Sequence, residues 1–162
     1  MFNPIEITRG CPFACKYCQT SYIHGRVPRH RSVDRVLYYA KLELEAGIRD
    51  LRFISPNALG YGGSKEPDVG ELERLLRSLR KLADARGGRI FLGSFPSEIR
   101  PDFVDLDLAL LLRECVDNKR IVIGAQSGSD RVLETIGRSH TVEEVERAVE
   151  ILSSVGFGVD VD

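Results

Sequence analysis

Cys11, Cys15 and Cys18 lie in the stretch Thr-Arg-Gly-Cys-Pro-Phe-Ala-Cys-Lys-Tyr-Cys-Gln, a C-x3-C-x2-C spacing within eight residues. Such a loop can fold three thiolates around one face of a cubane iron–sulfur cluster. A [4Fe–4S] cluster normally takes four cysteines, one per iron, and no fourth cysteine follows in this loop. Three ligands leave one iron open to a small molecule, which points to catalysis rather than electron storage. Tyr17, just before the third cysteine, sets an aromatic ring where it could flank a bound cofactor.

Two other uses of the thiols remain open. A structural zinc site takes four N or S ligands; His24, His30, His140 and Cys115 are the remaining candidates, and none forms an obvious second pair. Disulfide pairing would leave one of three clustered cysteines over, and no secretory leader is evident, so a reducing, cytoplasmic compartment is expected. Cys115 sits in the apolar run 108–116 and reads as a small buried hydrophobe. At 162 residues and a net charge of −1, the chain has the size of one domain and no general attraction to nucleic acid or membrane. No apolar run approaches a bilayer span. Lys16, His24, Arg26, Arg29, His30 and Arg31 make a local basic segment. It reads either as a solvated loop or as a receptor for an anionic group such as phosphate, with which an RNA substrate would be compatible.

The elements that would carry these residues alternate short β-branched runs with amphipathic helices, the pattern of parallel β/α units. Strands are expected at 4–8, 51–55, 89–95, 121–125 and 158–162. Helices are expected at 33–46 (capped by Ser32 and ended by Gly47), 71–85, 102–115, a short one ending near Gly137, and one capped by Thr141 and Glu144 that runs to about Ser154. The fold class is therefore α/β, a partial parallel (β/α) barrel of about four and a half units that stops in strand five. A full (β/α)8 barrel needs about 250 residues, so the sequence reads as an excerpt of a longer chain. In such barrels the working residues gather at the carboxyl ends of the strands. That rim would hold the cysteine loop, Ser55-Pro56-Asn57, Ser94 to Glu98, and Gln126 to Asp130, with Ser55, Asn57, Ser94, Gln126 and Ser127 as candidate binding residues.

The C-x3-C-x2-C motif with Tyr17 before its last cysteine resembles the radical S-adenosylmethionine (radical SAM) superfamily. The segment Gln126-Ser127-Gly128-Ser129-Asp130, with Leu133, Gly137-Arg138 and Thr141, is similar to the strand-four segment of methylthiotransferases and cobalamin-linked radical SAM proteins. The run from Cys18-Gln19-Thr20 to Arg29-His30-Arg31-Ser32 resembles archaeal-type members that carry an upstream cobalamin-binding domain, which these residues do not contain. The resemblance implies that residues 1–162 are the N-terminal portion of a radical SAM core. It implies Cys11, Cys15 and Cys18 as ligands of a [4Fe–4S] cluster. It sets Gln126 and Ser127 near the ribose or methionine part of S-adenosylmethionine (SAM), and Arg138 against its carboxylate.

The Gly-Gly-Glu that often holds the cofactor's amino group is absent; Ser55 and Asn57 occupy its place, Gly62-Gly63 comes too late, and Asn57 could accept from the ammonium through its side-chain oxygen. The implied activity is reductive cleavage of SAM to a 5′-deoxyadenosyl radical that abstracts hydrogen, leading on to methylation or methylthiolation. Cobalamin and a ferredoxin- or flavodoxin-type electron donor are the further participants. The alternative is an iron–sulfur electron-transfer or zinc-binding structural module. No general acid or base is assigned by the sequence; Glu98 and His24 could serve, and each also reads as structural or solvent-exposed.

Overall fold

The computed structural model describes residues 3–162. Short parallel strands alternate with helices. β1 (Ile5–Glu6), β4 (Asp50–Ile54) and β5 (Arg89–Phe91) pair in that order. β6 (Arg120–Ile123) pairs in parallel with β7 (Gly158–Val161). Between the two groups, Val122 N–H donates to Gly93 O (2.8 Å) and Ile99 N–H to Val122 O (3.0 Å), so one open parallel sheet runs from β1 to β7. Its alternate residues Ile5, Ile7, Leu51, Phe53, Ile90, Leu92, Ile121 and Ile123 are buried and join one hydrophobic core. That core is shared with α2 (Val33–Glu45), α3 (Val69–Arg86), α4 (Leu106–Cys115) and α6 (Val142–Ser154) on the outer face. The opposite face is polar: Arg52 lies 4.5 Å over the Phe91 ring, and Arg120 forks onto Asp160. Among the described residues the sheet does not close into a barrel. No helix of the described residues is long and apolar enough to cross a membrane.

The helices start and stop where side chains satisfy their end groups. Ser32 caps α2 at Arg35 N, Asp68 caps α3 at Glu71 N, and Thr141 and Glu144 form a reciprocal capping box on α6. Gly87 and Gly137 end α3 and the short α5 (Asp130–Ile136) in the left-handed region, where a side chain is strained and glycine is not.

The structure departs from the expected elements in several places; the expected strand 4–8, for one, divides into Ile5–Glu6 and Thr8–Arg9. After the cysteines the chain forms α1 (Thr20–His24) and a hairpin in which β3 (Arg29–His30) returns antiparallel to β2 (Thr8–Arg9); segments this short carry no periodicity. Their basic residues are partly structural. Arg31 Nε–H donates to Glu6 O (2.9 Å), Arg29 donates to His24 O (2.9 Å), and both ring nitrogens of His30 are engaged, with Thr8 Oγ1 (3.0 Å) and Gly63 O (2.8 Å). Strand three is shorter than 89–95, because Gly93 takes φ +77° and residues 94–98 swing out of the sheet before Ile99 returns to it. The helix expected from Asp102 begins at Leu106 under an Asp105 cap, since Pro101–Phe103 forms a separate 3-10 turn. α3 begins two residues earlier than 71, at Val69.

Candidate active site

The cysteine loop leaves the sheet at its carboxyl rim and is fixed at three points. Cys11 N–H donates to Gly25 O (3.1 Å) and Cys18 N–H to Cys15 O (3.0 Å). Lys16 N–H donates to Ile136 O (2.8 Å), which seats the loop on the end of α5. Gly10 opens the loop at φ +90°, and a Cβ there would stand 2.7 Å from Val27 O. The chain crosses its own hairpin at a distance only glycine permits.

All three thiols are free. Cys15 is buried, Cys11 half-buried and Cys18 exposed. Burial pushes the Cys11 thiol up; the Phe13 N–H and the Arg100 guanidinium act against this. The Cys15 sulfur lies 3.7 Å from Arg138 Nη1, and Cys18 Sγ lies 3.3 Å from Thr20 Oγ1. Desolvation pushes the Tyr17 phenol up to about 12, with Cys15 adding to it through a hydrogen bond. Among the described residues, no three His, Cys, Asp or Glu side chains converge on one ion position. A cubane does not ask for this, because each thiolate binds its own iron. An all-sulfur donor set on one loop fits an iron–sulfur cluster.

Beside the loop, three polar side chains meet above Gly124, just past β6. A Cβ built there would lie 2.8 Å from Glu98 Oε2, 3.2 Å from Gln126 Nε2 and 3.4 Å from Arg138 Nη2. Arg138 joins this group to the cysteines, since its Nη2 donates to the Gly124 carbonyl while its Nη1 faces the Cys15 sulfur. Its Nε is buried without a partner. Gln126 is held at φ +73°, the one non-glycine residue with positive φ among those described, and its N–H donates to Asp162 O (2.6 Å). Strain of that kind persists where the surroundings over-determine it and gathers at functional sites. Burial pushes the Glu98 carboxyl up, helped by Asp162 and opposed by Arg138.

The other expected residues are placed differently. Asn57 Oδ1 accepts from Leu59 N–H (3.3 Å) and Arg100 N–H (3.2 Å), so the oxygen expected to take an ammonium is already engaged. Its Nδ2 is buried and unpartnered, close to Gly60. Asn57 thus ties the strand-two loop to the segment after strand three. Ser55 Oγ donates to Asn57 O (2.6 Å). Ser94 Oγ accepts from Asn118 Nδ2 (3.0 Å), ahead of β6, which draws this hydroxyl away from the carboxyl rim. Ser127 Oγ accepts from Ser129 N–H at the start of α5. Cys115 is buried on α4, as expected. His140 is buried with Nε2 on Ala125 O (3.0 Å), and His24 is exposed. Gly124 and Arg100 were not legible as site residues. A glycine at a strand's carboxyl end was the available signal for the first.

Comparison with known proteins places this geometry. Residues 5–161 match the family described as the Radical SAM superfamily. The chain is 30% identical over 155 residues to tRNA-2-methylthio-N(6)-dimethylallyladenosine synthase of Pelobacter propionicus, covering 93% of this chain and 33% of that protein. It is 29% identical over 147 residues to the probable threonylcarbamoyladenosine tRNA methylthiotransferase of Archaeoglobus fulgidus, covering 90% and 33%. The chain therefore spans about a third of the length of these relatives. Among solved structures, the radical SAM methyltransferase TsrM of Kitasatospora setae, with tryptophan and a SAM analogue bound, superposes with a TM-score of 0.76 at 19% identity, covering 98% of this chain and 29% of that one. The cobalamin-dependent radical SAM enzyme OxsB superposes with a TM-score of 0.72 at 22% identity, covering 98% and 23%. These two likenesses are of fold. The family match over nearly the whole chain means that this chain belongs to the Radical SAM superfamily.

Proposed function

We propose that residues 1–162 are the N-terminal portion of a radical SAM core that holds a [4Fe–4S] cluster and SAM and serves methyl or methylthio transfer. The observation that carries this is Arg138, which links the Cys15 sulfur to the polar group above Gly124, so that the thiol loop and a candidate SAM pocket share one rim. When bound, the cluster and SAM would supply one-electron reductive cleavage and the radical chemistry that follows from it.

The chain's own residues bind and orient. Cys11, Cys15 and Cys18 hold three irons as thiolates. Arg138 donates toward the Cys15 sulfur and keeps a fixed positive charge for the SAM carboxylate, since guanidinium stays protonated. Glu98, rather than Asn57, offers a carboxylate to the ammonium, in place of the absent Gly-Gly-Glu. Gln126 supplies an amide at the same spot, and Tyr17, half-exposed beside Cys15, would flank the bound cofactor. Ser55, Ser94 and Ser127 use their hydroxyls within the chain and shape the loops around the site.

The relatives named as tRNA-modifying enzymes favour an RNA base as substrate. The exposed Lys16 and Arg26 beside the thiols suit a phosphate backbone. Cobalamin, held by a domain outside these residues, belongs to this proposal as the cofactor that fold neighbours carry, and a ferredoxin- or flavodoxin-type protein as the electron source.

The test is anaerobic purification of the whole protein with analysis of iron, sulfide and zinc, followed by reduction in the presence of SAM. Wild type is expected to hold at least four irons per chain and to cleave SAM. Cys15→Ala is expected to lose both properties. Zinc without iron, or SAM cleavage retained by Cys15→Ala, would overturn the reading. A cluster whose EPR spectrum ignores SAM would mark an electron-transfer module instead.

A further inference from the structure

Arg100 is 4% exposed, and the proposed chemistry does not use it. Its guanidinium carbon lies 3.6 Å from the centroid of the Phe13 ring, which sits between Cys11 and Cys15 in the thiol loop. From the other side Nη2 donates to Asp102 Oδ2 (2.8 Å) and Ser139 Oγ (2.9 Å). Nε is buried with no partner, and so is Asp102 Oδ1. Stability does not account for this arrangement. Burying an ion pair costs desolvation that the pair barely recovers, and apolar residues of similar volume generally do as well or better. A permanently charged side chain is pressed under the loop, with its fork incompletely satisfied.

We propose that Arg100 is a positioning residue for the iron–sulfur site: a fixed cation beneath Phe13 that stabilises the cluster's reduced state. The inference rests on the cluster reading above. Three thiolates make the loop an anionic site, and reduction adds one further negative charge to it. Net charge and the surrounding dipoles set the potential of such clusters. A cation in the desolvated layer under the loop is screened far less by salt than a surface one. Asp102 opposes the same effect, so the pair sets the potential by difference. Phe13 holds the guanidinium at a fixed distance through its ring face.

The experiment is an EPR-monitored redox titration of the reconstituted whole protein, with iron and sulfide content measured on each sample. Arg100→Gln is expected to bind iron yet show at least a tenfold lower ratio of reduced to oxidised cluster at a fixed solution potential, about 59 mV for a one-electron couple. Arg100→Lys, which keeps the charge, should stay within about threefold of wild type. Asp102→Asn should move the ratio the opposite way. A purely structural ion pair predicts that the Gln and Asn variants shift alike, because both break the same contact. That outcome, or equal potentials throughout, would overturn the inference. Should Arg100→Gln not fold, Asp102→Asn decides alone: a raised potential supports the inference, and a lowered or unchanged one refutes it. Wild type that assembles no cluster sinks the proposed function, and this inference with it; loaded variants without the shift sink this inference only.

Discussion

Gly124→Ala separates binding from folding at the proposed SAM pocket. The added methyl carbon would stand 2.8 Å from Glu98 Oε2, closer than the 3.4–4 Å of ordinary contact. The atoms it meets are the ends of flexible side chains, so they can withdraw by some tenths of an ångström while the backbone stays in place. Alanine also lowers the entropy cost that glycine brings to a strand end. Global stability should therefore change by no more than about 1 kcal/mol. Binding is more sensitive. A hydrogen bond to a charged group contributes about 1.5–3 kcal/mol, so displacing the Glu98 carboxylate from its aim weakens SAM by about 10- to 150-fold. The assay is equilibrium dialysis of SAM against cluster-loaded protein, alongside a thermal melt. Unchanged affinity in a folded, loaded variant would refute the assignment of the Gly124 group. A collapse in melting temperature would refute the reasoning that only side chains must move.

Two more perturbations read the scaffold. Gly10→Ala combines φ +90° with a Cβ 2.7 Å from the Val27 carbonyl, and backbone strain plus that clash should cost about 2–4 kcal/mol in chemical denaturation; a loss under about 1 kcal/mol would mean the loop base is pliable. Glu43, buried on α2 with Asn3 Nδ2 as its one donor among the described residues (3.0 Å), is pushed by burial from 4.5 to about 7. The folded state therefore holds a proton that the unfolded state releases, and stability falls as pH rises from 4.5 through 7. Glu43→Gln should gain on the order of 1–3 kcal/mol over wild type at pH 8, a gain that disappears below pH 4.5; melts at the two pH values check it, and a pH-independent difference would contradict it.

Much of this molecule was legible because its signals are local. Three cysteines within eight residues need no tertiary information to suggest a shared ligand, and Ser32, Thr141, Glu144, Gly87 and Gly137 mark helix ends by chemistry that acts within a few residues. The hairpin after the cysteines is hidden in the sequence because α1 and β3 are too short to show a period, and a basic segment fits a solvated loop and an anion receptor alike. The direction of Ser94 is not legible locally, because it depends on a left-handed turn at Gly93 and on Asn118, which is remote in sequence. Asn57 has the right type for a polar contact, but neighbours 2 and 43 residues away occupy its acceptor. Arg100 carries no local signal; its meaning comes from Phe13, 87 positions earlier, lying against it.

The central claim is that three thiolates hold a cubane with one iron left for SAM. Mössbauer spectroscopy of the anaerobically reconstituted protein, enriched in iron-57 and recorded without and with SAM, tests it most directly. The account predicts a cubane with a single iron subsite whose parameters change when SAM is added. A spectrum with no cubane, or a cubane whose four irons are all indifferent to SAM, would contradict it.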